Sequence, residues 1–174
     1  MSSASEKISR GNAGQFRVAS ELCLRGMHAS ITLGNTPHVD VLCTDKNGRN
    51  CISIQVKTFR AGVAKCAVGK NAEVDFGPSF FWVLAGLRDA DHPSAEECFY
   101  IVPSAVMAQN VFEGHHNWLA TPGKKGQQHK DNDMRNVWLN AKSGKFGFDV
   151  SQYKGRWDLI EARWREIDAR LSDW

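Results

Sequence analysis

The sequence predicts a mixed α/β domain of the α+β kind, with a central mixed β-sheet flanked by helices. Three observations carry that expectation. Two runs rich in β-branched residues, within 39–57, flank Asn47-Gly48, a dipeptide suited to a two-residue type I′ turn. Residues 12–25 and the tail from Trp157 repeat apolar positions at helical spacing. Phe80 to Leu84 and Cys98 to Val102 are short apolar runs of strand length. With 174 residues, 42% hydrophobic and 24% charged, the chain is long enough for one domain with a sizeable core.

In chain order, Met1 to Arg10 reads as a polar, flexible lead-in and residues 11–174 as the domain. From about Asn12 to Arg25 a helix is expected, because Gln15, Val18, Ala19 and Leu22 fall on one stripe. Arg17 and Glu21 form an i, i+4 pair on another face, and Gly26 fits as the stop. His28 to Leu33 reads as a strand, and Gly34 to Pro37 as the turn before the hairpin. Thr58 to Asn71 lacks a strong period and reads as a loop or short strand. After the two apolar strands, Pro103 opens a short helix from Ser104 to about Gln109. Trp157, Ile160, Trp164, Ile167, Leu171 and Trp174 form the stripe of a tail helix, about 156–173, that docks on the domain's own sheet or forms a homodimer seam.

The hairpin is where chemistry gathers. If Asn47 and Gly48 form the loop, Lys46 faces Arg49, Asp40 lies opposite Gln55, and His38 lies opposite Lys57. Alternation then puts Val39, Val41, Cys43, Ile52, Ile54 and Val56 on one face. His38, Asp40, Thr44, Ser53, Gln55 and Lys57 share the other, interrupted by Leu42 and Cys51. A carboxylate and an amide oxygen facing each other across a strand pair can hold a hard cation, and a nearby Lys can reach a water or phosphate beside it.

The spacing of Asp40 and Gln55-Val56-Lys57 resembles the core of the PD-(D/E)xK nuclease superfamily, which is restriction-endonuclease-like, in a D…QxK variant where Gln replaces the second acid. Gly11 to Leu22, followed by Arg25-Gly26, is similar to the first helix of a prokaryotic branch of that superfamily. Phe80 to Val83, Phe99 to Pro103 and Tyr153 to Leu159 fit the same branch, so the match spans most of the chain. The resemblance implies a metal-dependent endonuclease that hydrolyses phosphodiester bonds in DNA, with RNA left open. It implies that Asp40 is the main ligand of Mg²⁺ or Mn²⁺, that the Gln55 amide and the Val56 carbonyl complete the protein's share, and that Lys57 orients or deprotonates water or steadies the phosphate. Gln15 stands where the family carries a Glu pointing at the metal. Glu21 is no substitute, since six residues at about 100° each put it roughly 120° around the helix from Gln15. With two negative charges lost, the alternative is a catalytically inactive protein of this fold that binds nucleic acid or another protein.

Net charge is +3 and the pI about 8.6, which permits nucleic-acid binding without requiring it. The cations concentrate between Thr121 and Arg156, where Lys124, Lys125, His129, Lys130 and Arg135 read either as a flexible arm following a phosphate backbone or as a solvated loop. Glu73 and Asp75 read as loop carboxylates or as an auxiliary acidic group, and His115-His116 as part of a surface loop. The five Cys residues include no Cys-x-x-Cys pair, so buried, reduced thiols are expected rather than a disulfide framework or zinc ribbon. No apolar run approaches a membrane span, and Met1 to Asn12 lacks the apolar centre of a signal peptide, so the cytoplasm is the expectation.

Overall fold

The structure, a computed structural model, describes residues 4–33, 36–44, 48, 50–140 and 146–172, with side chains described to 169. Its first element is helix α1 (Ala4–Leu24), which buries Gly14, Val18 and Leu22. The helix begins well before Asn12, so the expected flexible lead-in is corrected: residues 4–10 are already helical, and Arg10 approaches Asp89 at 3.7 Å. Gly26 ends the helix as expected. Its φ of 81° is one that a side chain would disfavour, and Gly26 N–H donates to Cys23 O while Met27 N–H donates to Leu22 O, the paired bonds of a Schellman stop.

Strands β1 (His28–Ile31), β2 (Val41–Thr44), β3 (Cys51–Arg60), β5 (Phe80–Leu87) and β6 (Cys98–Pro103) form the main sheet in the order β1-β2-β3-β5-β6. All neighbours are antiparallel except β3 and β5, which are parallel. The segment connecting those two carries β4 (Lys65–Ala67) and a 3-10 turn, Lys70–Glu73, because a parallel pair needs a crossover. The β2–β3 register, Val41 against Ile54 and Cys43 against Ile52, is the one the Asn47-Gly48 loop implies. The loop itself, except Gly48, lies outside the described residues, as do Gly34 and Asn35 of the preceding turn. Every residue of β5 is buried, which fits its unbroken apolar run and its place between two other strands.

The sheet divides the core in two. On one face α1 and α3 (Asp158–Ser172) cover Val41, Ile54, Val56 and Val83, with Trp157 and Ile160 buried among them. The tail stripe thus docks on the chain's own sheet as far as Ile167, helped by the bond from Arg163 Nε to Ser79 Oγ. On the other face α2 (Ser104–Ala120) and a small sheet of β4, β7 (Asn136–Trp138) and β8 (Phe148–Asp149) cover Trp82, Leu84 and Val102. Tyr100 ties the layers together by donating from its hydroxyl to Leu139 O at 2.9 Å.

Helix α2 extends eleven residues beyond the expected Gln109, so His115 and His116 are helical rather than in a loop. Gly114 sits inside it because a Cβ there would lie 2.6 Å from Phe146 O, so only glycine lets the small sheet approach. Strands β7 and β8 carry no sequence signal of their own, being three and two residues long. Val39 corrects the expected alternation: it packs with the α2-side core, whereas Val41 faces α1. The reason lies one residue earlier, where His38 takes a left-handed φ of 63° and breaks the strand. For the same reason His38 does not pair with Lys57.

The cysteines are free, but only Cys43 and Cys66 are fully buried, with burial pushing both thiols up to about 12. Cys23 and Cys51 are exposed, contrary to expectation. No helix among the described residues is long and apolar enough to cross a membrane.

Candidate active site

Three elements converge on Asp40. It lies one residue before β2, where its main-chain N–H donates to Ile54 O at 2.9 Å, so the strand pairing fixes its backbone. Gln55 in β3 is held opposite and donates from Nε2 to Asp40 Oδ2. Helix α1 delivers Gln15, whose Nε2 reaches Asp40 Oδ1 at 3.0 Å. The Val56 N–H turns inward and donates to Oδ2 at 2.7 Å. Val18 and Leu22, one and two turns along from Gln15, are the residues that press α1 onto the sheet. The stripe that makes the helix amphipathic therefore also aims its amide at the carboxylate.

Half-burial raises the Asp40 pKa above its usual value, against the opposing pull of the Val56 N–H, the Lys57 charge and the two amides. The carboxylate is thus ionised at a cost that local donors only partly relieve. Lys57, two residues along β3 from Gln55, is on the same side of the strand. Its Nζ lies 5.9 Å from the ring centre of Trp82, which in turn sits beside Gln55 in the parallel register. Asp40, Gln55, Lys57 and Gln15 are therefore brought together as the sequence suggests.

No cluster of three or more His, Cys, Asp or Glu able to hold a metal occurs among the described residues. Any cation here would rest on one carboxylate with neutral oxygens. A half-turn of either Gln amide exchanges Nε2 for Oε1 at the same position. The Val56 carbonyl, 3.5 Å from Gln55 Nε2, lies on the same side. One carboxylate, two amide oxygens and a carbonyl make an all-oxygen set, which fits a hard divalent cation that retains several waters. The raised Asp40 pKa fits too, because it marks a negative charge without sufficient positive compensation.

The acidic and basic residues outside this cradle sort differently from expectation. Glu73 is no auxiliary acid: it accepts from Arg135 Nε at 2.5 Å. Asp75 caps its own loop by accepting from Gly77 N–H at 2.9 Å. Arg135, expected on a nucleic-acid surface, is only 3% exposed and is held by Glu73 and the carbonyls of Asn132 and Met134, so it is corrected to a structural ion pair. Lys124, Lys125 and Lys130 are exposed, while His129 stacks on Trp118 with ring centres 4.0 Å apart. Their segment is a turn closed by Gly123 N–H to Gln127 O and Gly126 N–H to Gly123 O rather than a loose arm.

Sequence reasoning missed two features. One is the partners of His38, a residue already expected on the face of Asp40: its Nδ1 lies 3.2 Å from Asn71 Nδ2 and its ring 5.1 Å from Phe76. The buried Trp82 Nε1 has no hydrogen-bond partner among the described residues. Neither has a local signal, because both depend on the crossover between β3 and β5.

The chain is similar in structure to a bacterial homing endonuclease, I-Ssp6803I, with a TM-score of 0.53 and 15% identity over 92% of this chain and 96% of that one. The archaeal Holliday junction resolvase Hjc of Archaeoglobus fulgidus overlaps less, with a TM-score of 0.41 and 16% identity over 74% of this chain and 83% of that one. No protein-family model and no curated protein matches the sequence. The mixed five-stranded sheet, its covering helices and the likeness to a homing endonuclease along nearly its whole length establish that this chain has a restriction-endonuclease-like fold.

Proposed function

We propose that the protein is a divalent-metal-dependent endonuclease that hydrolyses phosphodiester bonds in DNA, with Asp40, Gln55, Lys57 and Gln15 as its active residues. The observation that carries this reading is the convergence of Gln15 and Gln55, from two different elements, on the single carboxylate of Asp40. Asp40, the Gln15 and Gln55 amide oxygens and the Val56 carbonyl would hold Mg²⁺ or Mn²⁺. A bound ion supplies positive charge to the phosphate's non-bridging oxygens and acidifies a water. Lys57 supplies a second positive charge from the same face, holding the phosphate or the attacking water in line with the leaving oxygen. The Val56 N–H keeps the Asp40 carboxylate from rotating away. Lys124, Lys125, His129 and Lys130 contribute sequence-independent affinity for the phosphate backbone.

A second reading is a catalytically inactive nucleic-acid-binding or protein-interaction module. It is favoured by the absence, among the described residues, of any group of three or more His, Cys, Asp or Glu able to hold a metal. Cleavage of supercoiled, linear and single-stranded DNA with Mg²⁺ or Mn²⁺ separates the two. The nuclease reading expects Asp40→Ala and Lys57→Ala each to lower the rate by about 10²-fold or more. Cleavage indifferent to both substitutions removes this site from the chemistry.

A further inference from the structure

Between α2 and the small sheet opens a cleft of about 340 Å³, within the range of about 300–1,000 Å³ typical of small-ligand pockets. Two indoles line it, Trp118 from α2 and Trp138 from β7. The Lys65 ammonium lies 4.1 Å from the ring centre of Trp138, and the imidazoles of His129 and His115 stack on Trp118 with ring centres 4.0 and 5.4 Å away. Asn110 donates from Nδ2 to Val106 O, which leaves its Oδ1 as an acceptor. Asn132 accepts at Oδ1 from Met134 N–H, which leaves its Nδ2 as a donor. Among the described residues no carboxylate lines the cleft itself, although Asp131 lies 2.8 Å from the lining His115.

Flat aromatic walls, an amide donor and an amide acceptor, and the Lys65 ammonium together describe a receptor for a planar ring with a hydrogen-bonding edge attached to a phosphate chain. The space is too small for duplex DNA. We propose that this cleft takes an unpaired nucleobase of a DNA strand, its ring against the aromatic wall of Trp118 and His115 and its edge on Asn110 and Asn132, with Lys65 and the Lys124–Lys130 turn along the phosphates. The cleft shares the face of the main sheet that carries Gln55, Lys57 and Trp82. Contacts link the two places within the fold, His38 to Asn71 and, through the Lys70–Glu73 turn, Glu73 to Arg135. The inference deepens the nuclease reading and rests on it for a strand at this face: it selects substrates with an unpaired or extruded nucleotide.

The test is equilibrium binding of the full chain, in EDTA, to a dye-labelled single-stranded oligonucleotide and to an abasic strand of equal length and charge. The wild-type protein is expected to bind the base-bearing strand about 5- to 150-fold more tightly, the range that about 1–3 kcal/mol per stacked base implies. Trp118→Ala is expected to abolish that ratio while retaining most binding to the abasic strand. Asn110→Ala, which removes no wall, is expected to reduce it. Asp40→Ala is expected to keep it, so a failed nuclease assay and a failed base pocket give different results. Equal wild-type affinity for the two strands overturns the proposal, as does a Trp118→Ala protein with the wild-type ratio.

Discussion

Asp40 accepts three N–H donors and faces one ammonium, yet its pKa is raised, because half-burial outweighs what those neighbours return. The sign of its pH effect follows. A carboxyl whose folded pKa exceeds its unfolded value contributes stability below the unfolded pKa and loses that contribution as pH rises through the folded value. Without divalent metal, ionised Asp40 therefore weakens the fold at neutral pH. Asp40→Asn is expected to raise the thermal midpoint at pH 7 in EDTA, with the gain over wild type shrinking towards acid pH, while cleavage with Mg²⁺ is lost. Thermal scans across pH check this. The difference between variant and wild type isolates Asp40 from Asp89 and Asp131, whose pKa values are shifted down by their His92 and His115 partners. Wild type and variant melting alike from pH 4 to 7 would contradict the assignment.

At the scale of elements, the seating of α1 on β3 decides whether Gln15 reaches Asp40. Gly14 lies against Thr58, and a Cβ there would fall 1.8 Å from Thr58 Oγ1. Helix propensity favours Ala over Gly by about 0.8–1.0 kcal/mol, but a β-branched side chain packed against the helix has little room to yield. Gly14→Ala is therefore expected to destabilise by about 1–3 kcal/mol and to lower cleavage further by lifting Gln15 from the carboxylate. Thr58 Oγ1 is buried without a partner among the described residues, so Thr58→Ala gives up no hydrogen bond seen there. In that background Gly14→Ala should be close to neutral, and a double-mutant cycle by urea unfolding measures the coupling. Additive effects would show that the contact does not set the helix position.

For the whole molecule, the basic second half divides into charges that hold the fold and charges that face solvent. Arg135 and Glu73 join the small sheet to the crossover turn, and removing Arg135 leaves Glu73, only 15% exposed, without that partner. Arg135→Ala is expected to cost about 3–5 kcal/mol in denaturant unfolding. Lys124→Ala and Lys125→Ala should leave stability within about 0.5 kcal/mol. Each lysine variant should also reduce the slope of log K against log salt for DNA binding by about 1 if it meets a phosphate. An unchanged slope in both would assign that turn to solvent rather than to nucleic acid.

The sequence by itself determined what depends on near neighbours along the chain. The period-two pattern around Asn47-Gly48 sets which residue faces which, and so puts Asp40 opposite Gln55. The stripe through Val18 and Leu22 likewise sets which face of α1 meets the sheet, and Gly26 sets where the helix ends. Tertiary structure alone decided what depends on residues far apart. A left-handed His38 turned Val39 to the other core, a Phe146 carbonyl kept Gly114 bare within a longer α2, and Glu73 drew Arg135 inward from the surface where its charge suggested it would lie. Periodicity encodes a side chain's direction relative to its own backbone. It does not encode which distant carboxylate, carbonyl or ring will be waiting there, and that pairing is settled only when the layers close.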